Sequence, residues 1–281
     1  MGIIEFYNND KDDDNDKKQR SQLWIHSPVS LTEDLVEVLK SLGDVKWVVS
    51  PNYEHVKYAQ EWAEWYEDAV MVACPGVCVF VCVKCDGGGL FHIIYVCVCI
   101  LGLMERMDGV YHVEIPFGIR PGDDLDPNTF WDGSELVSLH IDCEVNPFTG
   151  KPFFNEVIFF HVPSKTLLVT DLYWNYPASV VTNEIYSDLP GGDVDYGSWE
   201  LAPTVEKIPF GTRAWKFGMD QIYRPFYVNF MIKDEDRSRY NSIVDQIINV
   251  WEVETLIPAH GDIIRGKQVI KYVLQKHFGV K

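Results

Sequence analysis

The sequence lacks a long uncharged apolar run and has no cluster of positive charge. No stretch reaches the roughly 18 to 20 uncharged apolar residues that a membrane-spanning helix requires, and the longest apolar stretch, residues 90–104, contains His92. Acidic residues outnumber basic ones and give a formal net charge of −18. Such a surface repels phosphate backbones. The composition therefore predicts no membrane span and argues against nucleic acid as a primary ligand.

Several catalytic signatures are also absent from the sequence. There is no Gly-x-Ser-x-Gly elbow, no Walker loop and no Gly-x-Gly-x-x-Gly segment, so no nucleotide cofactor is expected. Cys74 and Cys143 have no evident histidine partner, which leaves a thiol nucleophile unsupported. The other five of the seven cysteines lie between residues 77 and 102. This clustering is unlike the disulfide framework of a small secreted domain.

Residues 8–20 consist only of Asn, Asp, Lys, Gln and Arg, and we predict a disordered polar tail over residues 1–21. The tail resembles neither a signal peptide nor a transit peptide. As written, the sequence therefore predicts a soluble intracellular protein. A truncated N-terminus would leave chloroplast targeting open.

Residues 77–102 do not follow the pattern of their neighbours. Two apolar Val- and Cys-rich runs flank Lys84-Cys-Asp-Gly-Gly-Gly89, and no helix or turn pattern connects them to the rest of the chain. We interpret the block as an insertion and hypothesise that it is a translated, unspliced intron, which the transcripts of this locus would test. The alternative is a zinc knuckle that uses Cys82 and Cys85 with Cys97, Cys99 or His92, although its second cysteine pair is spaced unlike that of a structural zinc site.

The pattern of apolar residues predicts an α/β fold. Residues 23–29, 45–50 and 69–74 are predicted strands, and helices over 30–42 and 56–66 lie between them, an order typical of parallel pairing. The second half has strand patterns at 111–115, 135–141, 156–162 and 166–172, the last two joined as a hairpin by the turn at 163–165. Helices are predicted over 234–251 and 266–278, around a short strand at 256–257. Residues 176–232, which are rich in Gly, Pro and aromatic residues, are predicted to form long loops with short helices.

Three predicted strands end at side chains that can bind a metal ion. Residues 46–51 lead to His55, residues 166–170 lead to Asp171, and residues 255–259 lead to His260, which glycine follows. Neighbouring strand ends hold functional side chains at one edge of a sheet. We therefore predict that the three residues converge on one site.

The chain resembles the metallo-β-lactamase superfamily and, more narrowly, a plant and cyanobacterial domain of unknown function in that superfamily. Residues 22–281, apart from 77–102, share this resemblance, which implies a four-layer α/β/β/α sandwich. Its motifs are Leu23-Trp-Ile-His-Ser-Pro28, Ser50-Pro-Asn-Tyr-Glu-His55, Phe153-Phe-Asn-Glu-Val-Ile-Phe-Phe-His161, Thr170-Asp-Leu-Tyr-Trp-Asn175, Trp215-Lys-Phe-Gly-Met-Asp220 and Ile257-Pro-Ala-His-Gly261.

The first metal-binding motif of the family, His-x-His-x-Asp-His, is only partly present. It falls on Ser50, Asn52, Glu54 and His55, so that the last histidine remains and glutamate replaces the aspartate. The ligands of one of the family's two metals are therefore missing. The resemblance implies that Glu54 and His55 can still serve the other metal.

Of the remaining family ligands, one is missing from this chain and two are present. The family's next histidine would fall near Pro152, where this chain has none, whereas the bridging aspartate matches Asp171 and the final histidine matches His260. The implied ligand set is thus His55, Asp171, His260 and Glu54, with Asp171 or Glu54 as a catalytic base. Two imidazoles with one or two carboxylates suit one Zn²⁺, Fe²⁺ or Mn²⁺ ion, which can lower the pKa of a bound water.

These ligands leave two hypotheses for the function. The first is a mononuclear metal-dependent hydrolase of a small ester, thioester or phosphoester. The second is an inactive scaffold or binding protein on the same fold, in which His55 caps a helix beginning at Val56 and His260 pairs with Asp171 without a metal. The sequence does not identify the small-molecule substrate or the oligomeric state.

Five further residues rank below these as site candidates. A structural role is predicted for His161, and for the others the sequence leaves open a place near the site or merely at a strand end. They are His26, Ser27, His140, Asp142 and His161.

Overall fold

The structure, a computed structural model, describes residues 1–6, 20–75, 113–114, 130–150, 152–175, 210–261 and 263–280. The chain divides into two compact units, which are Met1–Phe117 with Asp124–Trp131 and Gly118–Asp123 with Asp132–Lys281. The predicted insertion at 77–102, its alternative zinc knuckle and most of the predicted loop region lie outside the described residues.

The first unit contains a five-stranded mixed sheet. Its strands are β1 Gly2–Phe6, β2 Gln22–His26, β3 Asp44–Ser50, β4 Val70–Ala73 and β5 Val113–Glu114. The sheet order is β1-β2-β3-β4-β5. Strand β1 is antiparallel to β2, and the pairs β2-β3, β3-β4 and β4-β5 are parallel. The parallel pairing of β2, β3 and β4 agrees with the prediction from the alternation of strands and helices.

The prediction of a disordered tail over residues 1–21 is wrong for residues 2–6, which form β1. Ile4 and Phe6 are buried, and Ile4 lies opposite Trp24 of β2. The alternation of buried and partly exposed residues in Gly2–Phe6 is a strand pattern, which the charged residues that follow obscured.

Two helices connect the parallel strands of this unit, α1 Glu33–Leu42 and α2 Ala59–Trp65. Thr32 accepts the Leu35 N–H at 3.2 Å and caps α1, as predicted. The second helix begins later than its predicted start at residue 56. The indole N–H of Trp62 donates to the Val29 carbonyl at 2.6 Å, which ties α2 to the segment after β2.

The second unit contains another mixed sheet, in the order β10-β9-β8-β7-β6. Its strands are β6 Leu136–Ile141, β7 Glu156–His161, β8 Thr166–Val169, β9 Thr255–Pro258 and β10 Ile264–Arg265. The antiparallel pair β7-β8 confirms the predicted hairpin. The pair β8-β9 is parallel, so the ends of these two strands lie at the same edge of the sheet.

The helical segments of this unit pack around an apolar core that includes Phe160, Tyr240 and Phe278. They are α3 Phe210–Gly218, α4 Arg224–Phe226, α5 Arg237–Asp245 and α6 Lys267–Phe278, with π-helical segments at Met219–Tyr223, Tyr227–Met231 and Gln246–Val250. Within the described part of the chain, no helix combines the length and the apolar character of a membrane span. Two mixed sheets with helices confirm the predicted α/β class.

Candidate metal site

Asp171 and His260 form a close pair beyond the ends of two neighbouring strands. The parallel pairing of β8 and β9 places Val169 opposite Pro258, and each functional residue follows two positions later in the chain. His260 Nε2 lies 3.3 Å from Asp171 Oδ1. The Asp171 side chain is only 4% exposed, whereas that of His260 is 49% exposed. The predicted convergence of these two residues is therefore present within the second unit.

The Asp171 carboxylate changes the proton affinity of its partner. Its hydrogen bond raises the pKa of His260 above the ordinary value of 6.5, although partial burial of the ring acts in the opposite direction. The indole of Trp174 donates to the same Asp171 Oδ1 at 3.1 Å. The Trp174 ring also meets the His260 ring edge to face, with 5.4 Å between centroids. Trp174 therefore contacts both members of the pair.

Backbone contacts hold the two loops of the pair together. The Asn175 N–H donates to the His260 carbonyl at 3.0 Å, and the Ala259 N–H donates to the Val169 carbonyl at 2.9 Å. Gly261 has a φ of 96°, and a side chain at this position would collide with the Asn175 carbonyl. The glycine after His260 is therefore required both by its backbone conformation and by the close approach of the neighbouring loop.

Glu156 binds the backbone of the loop that contains Asp171. Its carboxylate oxygens accept the backbone N–H groups of Thr170 at 2.6 Å, Asp171 at 2.8 Å and Leu172 at 2.7 Å. The side chain is fully buried, and this burial raises the pKa of Glu156 to about 8, against the opposing effect of the Thr170 N–H. Three bonds to one carboxyl group fix the backbone that carries Asp171.

A second buried carboxyl group belongs to Glu144. The Tyr227 hydroxyl donates to its Oε1, whereas its buried Oε2 has no hydrogen-bond partner among the described residues. Burial is the largest effect and raises the pKa of Glu144 to about 7, and the Asp171 charge contributes in the same direction. The negative charge of Asp171 therefore influences both buried glutamates.

In the first unit, His55 lies in the loop after β3. The Asn52 side chain accepts the backbone N–H groups of Glu54 at 3.0 Å and His55 at 2.9 Å. His55 Nδ1 lies 2.5 Å from Ser27 Oγ. The alternative in which His55 caps a helix beginning at Val56 is wrong, because α2 begins at Ala59. Glu54 is exposed, and its role as a ligand stays a prediction.

Three of the lower-ranked candidates have structural partners. His140 Nε2 lies 3.0 Å from Asn155 Oδ1 in the core, and His161 Nδ1 lies 2.7 Å from Ser164 Oγ. The contact of His161 agrees with its predicted structural role. Asp142 pairs with Arg239 at 2.7 Å.

Two site residues, Glu144 and Glu156, were not singled out by the sequence analysis. Glu156 begins a strand that otherwise consists of apolar residues and a terminal histidine. An acidic residue at the start of such a buried strand is the signal that would have identified it. Glu144 carries no comparable signal, because its burial depends on Tyr227, which is distant in sequence.

Neither a family model nor a curated protein matches the chain. Among solved structures, it is similar to a peroxy diiron species of the chemotaxis sensor ODP, with 12% identity over 94% of this chain and 84% of the other and a TM-score of 0.45. It is also similar to the DIM-1 metallo-β-lactamase exposed to ceftazidime, with 11% identity over 94% of this chain and 80% of the other and a TM-score of 0.39. A third similar structure is a metallo-β-lactamase from Pontibacter korlensis, with 12% identity over 92% of this chain and 83% of the other and a TM-score of 0.36.

Two of these three solved structures are metallo-β-lactamases. The narrower resemblance to a plant and cyanobacterial domain stays a prediction, as does chloroplast targeting.

Proposed function

We propose that the protein is a mononuclear metal-dependent hydrolase that binds one divalent ion through the residues that match the ligands of the family's second metal, His55, Asp171 and His260. The observation that carries the proposal is the Asp171–His260 pair, with 3.3 Å between a carboxylate oxygen and an imidazole nitrogen. Both side chains are anchored by backbone and indole contacts, so their ligand atoms are held before any ion binds. The substrate class is a small ester, thioester or phosphoester.

The donor set suits the proposed ion. Two imidazoles and one carboxylate are a common protein ligand set for catalytic zinc, and Fe²⁺ and Mn²⁺ accept the same donors. A divalent ion in such a site acts as a Lewis acid toward a carbonyl or phosphoryl oxygen. Because only the last of the three histidines in the family's first motif is present, as His55, we propose one ion rather than two.

The protein's own residues prepare the site in three ways. Glu156 fixes the backbone of Asp171 through three hydrogen bonds, and Trp174 donates to the Asp171 carboxylate. The same indole restricts the His260 ring from one side. Because Asp171 raises the pKa of His260, protons compete with the ion for this imidazole, and binding should strengthen as pH increases.

A second function is favoured by the same pair. A protonated His260 and an ionised Asp171 satisfy each other at 3.3 Å without any metal. On this basis the chain would be a non-catalytic scaffold or binding protein whose remaining ligand residues are structural. The two functions differ in metal content, which is therefore the quantity to measure.

The experiment is elemental analysis of the purified protein and of its His55→Ala and His260→Ala variants. His161→Ala is the matched control, because this histidine bonds to Ser164 and is outside the proposed ligand set. We expect about one equivalent of Zn, Fe or Mn in the wild type and the control, and loss of metal in the two ligand variants. Metal-free wild-type protein with a native circular dichroism spectrum would contradict the hydrolase and favour the scaffold.

Activity is tested separately on metal-loaded protein. Chromogenic acetate esters, thioesters and phosphoesters represent the three substrate classes. We expect hydrolysis of at least one class by wild type and by His161→Ala, but not by His260→Ala. Metal binding without hydrolysis of any of the three would refute the proposed reaction while leaving the metal site intact.

A further inference from the structure

Ser27 and His55 form a hydrogen-bonded pair across the first unit. Ser27 Oγ lies 2.5 Å from His55 Nδ1, although the two residues are far apart in sequence. Ser27 directly follows β2 and is buried, and its backbone N–H donates to the Val49 carbonyl of β3 at 2.9 Å. The serine is thus attached to the sheet at its backbone and to the histidine at its side chain.

The backbone of Ser27 adopts a conformation that serine rarely takes. Its φ is 55°, in the left-handed region. A non-glycine residue there is strained and persists only where surrounding contacts impose the conformation. The bond from its N–H to Val49 is one such contact. In this strained backbone conformation, the Ser27 hydroxyl group contacts the His55 ring.

The backbone of His55 is also held by a hydrogen bond. Asn52 Oδ1 accepts the His55 backbone N–H at 2.9 Å, while Ser27 Oγ contacts ring atom Nδ1. Backbone and ring are thus fixed by two different residues. A histidine that binds a metal through one ring nitrogen needs the other nitrogen to be held as a donor, because that bond sets both the tautomer and the ring orientation.

We infer that Ser27 is a positioning residue that accepts a hydrogen bond from His55 Nδ1–H, so that the lone pair lies on Nε2, the nitrogen that takes the ion. This inference rests on the proposed function, in which His55 is a metal ligand. The reverse polarity, in which the Ser27 hydroxyl donates to Nδ1, would place the proton on Nε2 and block metal binding there. The tautomer of His55 therefore decides between the two.

The first measurement uses metal-free full-length protein with ¹⁵N-labelled histidine. Long-range ¹H–¹⁵N correlation spectra above neutral pH distinguish the two imidazole tautomers, and His55→Gln identifies the His55 signals. We expect the Nδ1–H tautomer in the wild type and a mixture of tautomers in Ser27→Gly. A wild-type His55 protonated on Nε2 would overturn the inference.

The second measurement is the Zn²⁺ affinity of the same proteins. Ser27→Gly removes the hydroxyl and relieves the positive φ, so the variant should fold at least as well as the wild type. Ser27→Ala removes the hydroxyl but keeps the strain. We expect both variants to bind Zn²⁺ about 10- to 100-fold more weakly, while their thermal stabilities differ. Equal affinity of Ser27→Gly and wild type would overturn the inference.

The chain offers a matched control in its other serine–histidine pair. Ser164 Oγ lies 2.7 Å from His161 Nδ1, and Ser164→Ala should leave Zn²⁺ affinity unchanged. If the wild type binds no Zn²⁺, the proposed hydrolase fails, and the tautomer spectra still decide whether Ser27 controls the His55 ring. The failure of the function and the failure of the positioning role are thus distinguishable.

Discussion

Replacing Glu144 with glutamine should stabilise the protein in alkaline solution. Glu144 is buried, and its pKa is raised from 4.5 to about 7, chiefly by burial. The folded state therefore holds this proton more tightly than the unfolded state. The resulting contribution to stability is complete below pH 4.5 and is lost as the pH rises through about 7.

The size of the effect follows from the pKa shift. Each pKa unit corresponds to about 1.4 kcal/mol, so ionising Glu144 in the folded protein costs about 3 kcal/mol relative to the unfolded chain. Glutamine stays neutral and retains a carbonyl oxygen for the Tyr227 hydroxyl, which donates to Glu144 Oε1. We expect Glu144→Gln to be more stable than wild type by about 3 kcal/mol near pH 8.5 and by less than about 1 kcal/mol near pH 5.

The assay is urea denaturation of metal-free protein, followed by tryptophan fluorescence at both pH values. Glu254→Gln is the control, because Glu254 is exposed and pairs with Lys165 on the surface, where such pairs contribute about 0 to 1 kcal/mol. A destabilised Glu144→Gln variant at high pH, or a stability difference that does not change with pH, would refute the reasoning.

Three further predictions concern the Asp171–His260 pair and its supports. Asp171→Asn should lower the pKa of His260, because the carboxylate is the main cause of its raised value; an unchanged NMR titration midpoint would contradict this. Glu156→Gln should lower the free energy of urea unfolding by about 3 kcal/mol, because an amide nitrogen cannot accept the backbone N–H groups that Glu156 binds; an unchanged unfolding midpoint would show that these bonds contribute little. Gly261→Ala should reduce the melting temperature more than Gly150→Ala does, since both glycines have positive φ but only a side chain at 261 meets neighbouring backbone; equal reductions would exclude the close approach as the cause.

Local patterns were sufficient to predict much of the fold. Thr32 caps α1, and short apolar runs mark β2 and β3. The Asp171–His260 pair was predictable because parallel neighbouring strands bring their ends together. These features depend on residues close in sequence or on a general rule of sheet topology.

Other features depend on contacts that no local pattern contains. The strand at Gly2–Phe6 is short, and a charged segment follows it. Its pairing with β2 gives it a defined structure. The partners of Glu144 and of His55 lie far away in the sequence. The hydrogen bonds of Glu144 and His55, and the burial of Glu144, arise only after folding. Neither the raised pKa of Glu144 nor the contact of Ser27 with His55 was therefore predictable.

The most direct test of the proposed site is X-ray absorption spectroscopy of the zinc-loaded protein. We predict a single ion with nitrogen and oxygen neighbours at about 2.0 to 2.2 Å and outer scattering from two imidazole rings, one of which disappears in His55→Ala and the other in His260→Ala. A spectrum without imidazole scattering, or one with a metal–metal distance, would contradict a mononuclear site built from His55, Asp171 and His260.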